Sequence, residues 1–170
     1  SARVEQVISE QANTPIRVAD GPLDVHMLRY HTASPDGRVL AFVAVGKIWL
    51  KELPNGTPRR LTAADFAADE YAPAWSPDGQ WLAYTSWSDV DHGHLWKIPR
   101  AGGTPVRLSQ VPGMYLNPTW SPDGARLVVA RGTGEMLRGR MPSDEVSFTL
   151  ESVPAAGGAA QPIVEVTSRG

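Results

Sequence analysis

Cysteine is missing altogether from this 170-residue chain. Disulfides, thiolate metal sites and cysteine nucleophiles are therefore excluded. The compartment stays open, since many exported bacterial proteins also lack cysteine. An excess of one charge sign is missing too: 16 Lys and Arg stand against 18 Asp and Glu, a formal net charge of −2. Such a balance offers no electrostatic capture of nucleic acid or of an anionic membrane. No apolar run approaches the roughly 20 residues that a spanning helix needs, so no membrane span is expected. The opening "SARVEQVISEQ" lacks the order of a signal peptide, and a start at serine in place of methionine suggests a processed or truncated product. Nowhere does helical periodicity run long enough for a crossover, which argues against parallel βαβ units. G-x-S-x-G, P-loop, G-x-G-x-x-G and H-E-x-x-H motifs are all missing, and no nucleophile–base pair stands out.

What the chain does have is turn chemistry. Its 16 glycines and 15 prolines gather in discrete clusters, and 42% hydrophobic residues with six tryptophans rule out wholesale disorder. One tetrapeptide recurs as Ser34-Pro35-Asp36-Gly37, Ser76-Pro77-Asp78-Gly79 and Ser121-Pro122-Asp123-Gly124, spaced by 42 and then 45 residues. Proline presets φ at the second position of a type I turn, and aspartate bonds back to the local backbone. Glycine then takes the left-handed conformation that closes a hairpin with a bulge. These residues read as structural.

Around each turn the same four short segments recur. The second copy offers "YAPAW" (71–75), "QWLAYTSW" (80–87), "HLWKIP" (94–99) and "TPVRLS" (104–109). Each is rich in Val, Leu, Trp, Tyr or Phe and is bounded by Gly, Pro, Asn or Asp, which are strand signals. The second strand is apolar on both faces, with Leu40, Phe42 and Val43 matched by Leu82 and Tyr84, then by Leu127 and Val129. A strand apolar on both faces has to be covered on both. The expectation is an all-β chain, a β-propeller of three four-stranded antiparallel blades at residues 29–62, 63–109 and 110–166. Residues 1–28 are the lead-in and 167–170 a tail. In the lead-in, "TPIRV" (14–18) matches the outer strands "TPRRL" and "TPVRL", as if it completed a blade whose other strands lie elsewhere.

Three copies of (Trp/Ala)-Ser-Pro-Asp-Gly-x-x-Leu-(Ala/Val), each followed by a strand and then "NG" or "GG", resemble the repeats of TolB-like propellers, the WD40-like PD40 repeats. The resemblance covers roughly residues 29–166. The first copy departs from it with Ala33 where the others have Trp75 and Trp120, so a packing anchor is missing there. "TPIRVADGPLD" ahead of these blades also resembles the N-terminal propeller portion of bacterial amidohydrolase-type proteins. Closed propellers have about four to eight blades. Three blades therefore imply half of a six-bladed ring, either part of a longer protein or a chain that closes a ring with a second copy. The resemblance implies a non-catalytic scaffold that binds a protein, no cofactor, and an exported bacterial setting that is periplasmic or secreted. Its alternative is the propeller part of a larger hydrolase, amidohydrolase- or peptidase-like, with catalytic residues outside this chain.

Candidate binding residues fall on the loops opposite the Ser-Pro-Asp-Gly turns, where loop length varies most. In "SDVDHGH" (88–94), Asp89, Asp91, His92 and His94 are weak candidate metal ligands, since His-x-His can hold a divalent ion. The stretch fails the calcium-loop template, and its ordinary reading is a polar hairpin connection. The long loop 132–146 offers Arg138 and Arg140 for an anionic group, and Met136, Leu137 and Met141 for an adaptable apolar contact. Trp87 has no counterpart in the other copies and is suspected of surface duty, whereas the recurrent Trp49, Trp96, Trp75 and Trp120 read as inter-blade packing. "TAADFAADEY" (62–71) reads as a solvated, carboxylate-bearing connection with one aromatic turned inward.

Overall fold

The computed structural model describes residues 28–132 and 145–169. They form twelve strands and, among the described residues, no helix. The first sheet is β1 (Arg29–Ala33), β2 (Val39–Ala44), β3 (Lys47–Glu52) and β4 (Arg59–Arg60). The second is β5 (Asp69–Trp75), β6 (Trp81–Ser88), β7 (His92–Pro99) and β8 (Val106–Arg107), and the third β9 (Met114–Trp120), β10 (Arg126–Gly132), β11 (Glu145–Pro154) and β12 (Gln161–Arg169). Each sheet is an antiparallel meander in chain order. They are three propeller blades. The short segments and tight turns of the sequence leave each strand no nearer partner than its neighbour along the chain. "TPIRV" (14–18) lies outside the described residues, and β12 runs on to Arg169, past Val166 where the sequence reading ends the blade.

The two-faced second strands are the core, as their composition requires. Val39, Ala41, Val43, Ile48, Leu50 and Leu61 of the first blade pack on Trp75, Leu82, Tyr84 and Ile98 of the second. The second blade's other face, Ala83, Leu95 and Leu108, packs on Tyr115, Leu127, Val129 and Val153 of the third. Burial of each valine, leucine or isoleucine among them contributes about 1.5–3 kcal/mol. First strands sit side by side, with β5 touching both β1 and β9.

Two indole contacts explain the tryptophan in front of the turn. Trp75 Nε1 donates to the Thr32 carbonyl at 3.3 Å and Trp120 Nε1 to the Ala74 carbonyl at 3.0 Å. Each reaches back to the same position on the preceding blade. A second recurrent contact joins adjacent strands within a blade. Trp49 Nε1 donates to the Ala44 carbonyl (3.2 Å) and Trp96 Nε1 to Ser86 Oγ (2.8 Å). In the third blade the corresponding pair is ionic, Arg131 Nε to Glu151 Oε1 at 2.7 Å.

The three turns are alike. Gly37, Gly79 and Gly124 have φ of 70°, 67° and 70°, and each amide donates to the carbonyl of the turn serine. Serine Oγ donates to the turn aspartate at 2.5 Å in all three and accepts the amide five residues on, from Val39, Trp81 and Arg126. These hydrogen bonds hold the Asp36 carboxyl down to about 2 and lower those of Asp78 and Asp123.

Candidate functional site on the loop face

Within β1, β5 and β9 a backbone irregularity repeats. Tyr30, Ala72 and Asn117, each four residues before its turn serine, have φ of 50°, 47° and 49°. The pairing register slips beside each of them. A bulge of this kind re-aims neighbouring side chains, and holding a residue other than glycine or asparagine at positive φ costs about 1–3 kcal/mol. Pro73 and Pro118, which follow two of the three, cannot donate to a ladder and suit such a break.

Beside the bulges lies a cavity of about 190 Å³, lined by the second and third blades and by Tyr30 of the first. Its wall is largely apolar: Tyr30, Tyr71, Trp87, Met114 and Leu116, with Asn117 and Thr85 beside them. Tyr30 meets Tyr71 edge to face, with ring centroids 6.4 Å apart, and remains 48% exposed. Burial raises the Tyr71 hydroxyl above its usual value, and Asp69 adds to that. The neighbouring Tyr115 hydroxyl donates to the Val111 carbonyl at 2.6 Å and is pushed up to about 12, first by burial and then by Glu151. Aromatic faces, a thioether and few polar atoms suit an apolar or aromatic group entering from the loop face.

The residues of 88–94 do not converge. Trp87 donates Nε1 to Asp89 at 3.2 Å and lies against the His92 ring, with centroids 5.8 Å apart. The Asp91 amide donates to Ser88 Oγ, and the side chain is exposed. His94 is buried instead, its Nδ1 2.9 Å from Ser109 Oγ and its ring edge-on to Trp96. Burial, then Arg107, lowers its affinity for a proton. Among the described residues no group of three or more His, Asp or Glu is arranged to hold a metal ion. Met136, Leu137, Arg138, Arg140 and Met141 lie outside the described residues. Trp87, singled out in the sequence, stands in the cavity wall; Tyr30, Tyr71, Met114 and Leu116 were not foreseen there.

The connection 62–71 corrects an expectation. Its Glu70 is not solvated but fully buried, with Oε2 accepting the Ile48 amide and Oε1 the Thr62 hydroxyl, both at 2.6 Å. Burial raises its proton affinity while those bonds, Lys47 and Arg60 oppose the shift. Lys47 Nζ meanwhile donates to the carbonyls of Phe66, Ala67 and Ala68 at 3.0, 3.2 and 2.6 Å, which folds the connection over the first blade. Phe66 is the aromatic turned inward, edge-on to Tyr84 and Trp96. The physical reason for Glu70 is that a strand-initial carboxylate finds its donors on the neighbouring blade.

No family model matches the chain. Among curated proteins it is 29% identical over 127 residues to the uncharacterized peptidase YuxL of Bacillus subtilis, covering 68% of this chain and 19% of that protein. It is 34% identical over 113 residues to the Tol-Pal system protein TolB of Desulfosudis oleivorans, covering 58% of this chain and 25% of that one. The chain thus spans a quarter or less of the length of these relatives. Among solved structures, one assigned to TolB of Agrobacterium tumefaciens superposes with a TM-score of 0.67 at 20% identity, over 85% of this chain and 51% of that one. An oligogalacturonate lyase in complex with manganese superposes with a TM-score of 0.61 at 14% identity, over 78% of this chain and 39% of that one. Antiparallel blades, their spacing and these likenesses agree: the chain has the TolB-like β-propeller fold.

Proposed function

We propose that this chain is a non-catalytic propeller module that acts as a protein-interaction scaffold, receiving a protein partner on its loop face. The observation that carries the reading is the apolar cavity beside the bulges of β5 and β9, walled by Tyr30, Tyr71, Trp87 and Met114. Loops on a rigid sheet scaffold are where binding sits, and aromatic anchors dominate protein interfaces. The three sheets read as half of a six-bladed ring, with repeating units at 29–62, 63–109 and 110–166. The resemblance to TolB-like propellers favours an exported, periplasmic setting. No cofactor or metal is part of this reading.

A displayed-peptide library panned on the purified chain tests it. Enriched peptides should carry an aromatic or large apolar residue, and their affinity should fall at least tenfold on the double variant Tyr71→Ala/Trp87→Ala with its far-UV circular dichroism unchanged. Peptides that bind wild type and double variant alike would remove the cavity from the proposal.

The likeness to YuxL, named a peptidase, favours a second reading. There the blades are the N-terminal propeller part of a larger hydrolase, amidohydrolase- or peptidase-like, and shape substrate access while catalysis happens outside this chain. Both readings expect no turnover of peptide or amide p-nitroanilides by the isolated chain. Measurable hydrolysis that survives repurification would overturn both.

A further inference from the structure

We propose that the cavity between the second and third blades on the Ser-Pro-Asp-Gly face binds an arginine side chain brought by a ligand, in the place that Arg100 fills one repeat earlier. The ligand that fits is a C-terminal arginine, a single residue that carries both a guanidinium and a carboxylate. The inference rests on the turn face and stands independently of the loop-face cavity.

The first observation is how the junction of the first two blades is closed. Arg100, just past β7, reaches back over the turn of the first blade. Its Nη1 donates to Asp36 Oδ2 at 3.3 Å, and its Nη2 lies 3.8 Å from Glu52. The guanidinium carbon sits 5.9 Å from the centre of the Trp75 ring. A carboxylate at the edge and an indole at the face are the partners a guanidinium is best shaped for. The backbone fixes the equivalent position in the third blade. The Arg100 amide donates to the Gln80 carbonyl and the Ala155 amide to the Ala125 carbonyl, each acceptor following its turn glycine. Alanine therefore stands where the second blade has arginine.

The second observation is what that alanine leaves. A cavity of about 470 Å³ is lined by Asp78, Trp81, Lys97, Trp120 and Ala155 among others. Small-molecule sites span roughly 300–1,000 Å³. Asp78 and Trp120 are the counterparts of Asp36 and Trp75. Asp78 Oδ1 accepts from Ser76 and from the Gln80 amide, as Asp36 Oδ1 does from Ser34 and the Arg38 amide. Asp78 Oδ2 has no donor among the described residues, whereas Asp36 Oδ2 has Arg100. Lys97 does not supply the missing cation. Its Nζ lies 4.4 Å from the centre of the Trp81 ring and pairs with no carboxylate among the described residues. Lys97 stands opposite Ala83, where the first blade has the buried Leu50 opposite Ala41, and Pro99 replaces Glu52. This junction has thus exchanged a carboxylate for an ammonium. A bare guanidinium would be repelled by that ammonium, while one whose own carboxylate meets Lys97 is held at both ends.

N-acetyl-L-arginine tests this, titrated into the isotope-labelled chain and followed at the indole N–H signals. The controls are N-acetyl-L-citrulline, which is neutral, and N-acetyl-L-argininamide, which lacks the carboxylate. N-acetyl-L-arginine is expected to shift the Trp81 and Trp120 signals saturably, and each control to bind at least tenfold more weakly. Asp78→Asn leaves an oxygen to accept the turn's two hydrogen bonds and should also weaken binding at least tenfold. Ala155→Arg supplies the guanidinium from within, so it should abolish binding and raise the thermal midpoint. No saturable shift, a citrulline that binds as tightly as the arginine, or unchanged affinity in Asp78→Asn would overturn the proposal. An argininamide that binds as tightly as the acid would overturn its assignment to a C-terminal arginine.

Discussion

Glu70 shows how one buried carboxylate couples two blades to pH. Its two oxygens accept from Ile48 and Thr62 of the first blade while its backbone belongs to the second. Burial raises its proton affinity above the ordinary 4.5. The folded state then holds the proton more tightly than the unfolded chain, so the contribution is fully present below 4.5 and is lost as pH rises through the folded value. The turn aspartates have the opposite sign. Their carboxyls are lowered from 3.8, so they stabilise above that value and lose the effect as pH falls. Thermal unfolding of wild type and Glu70→Gln from pH 4.5 to 8 should separate the two. The wild-type midpoint is expected to fall relative to Glu70→Gln as pH rises, because the amide does not titrate: its oxygen still accepts from Ile48, and its NH2 donates to the Thr62 hydroxyl in place of the bond that Thr62 donates to the carboxylate. Parallel curves would mean that the bonds from Ile48 and Thr62 outweigh burial.

At the scale of the element, glycine marks where strands and connections meet without room for a side chain. A Cβ at Gly93 would run into the Gly113 carbonyl oxygen, whereas one at Gly37 meets nothing within 4 Å and suffers only from its φ of +70°. Gly93→Ala is expected to destabilise by more than the overpacking range of about 1–3 kcal/mol if the backbone cannot shift. Gly37→Ala should cost only the left-handed penalty of about 1–2 kcal/mol. Urea unfolding of the two variants reads the difference, and equal losses would show that the Gly93–Gly113 contact yields easily. These elements were unequally legible. Ser-Pro-Asp-Gly can be read because one turn needs four consecutive letters whose chemistry is local. The left-handed bulges cannot, because Tyr30, Ala72 and Asn117 share no side-chain chemistry and the conformation is imposed by packing. Trp75 and Trp120 were legible as recurrent anchors, but their acceptors, 43 and 46 residues away, were not. The same distance hid the cavity wall and the partners of Glu70, while Trp87 stood out because no other blade repeats it.

In the whole molecule, the three blades differ most at their outer strands. β4 and β8 are two residues each, too short to offer much edge, whereas β12 has nine. It is the last strand of its sheet, and Ile163, Val164 and Val166 on it are 56%, 47% and 48% exposed. A long edge with β-branched side chains on both faces and free backbone groups is a template for cross-β stacking between molecules. Concentrated solutions of this chain should therefore age by strand-on-strand growth that starts at the third blade and needs no unfolding. Val164→Lys, a single charge on that edge, is expected to raise severalfold the concentration at which thioflavin fluorescence first appears. An unchanged threshold would place the nucleus on another strand. Where β12 governs, the shelf life of the purified protein is set by nine residues at one rim, and storage that protects the core alone would not extend it.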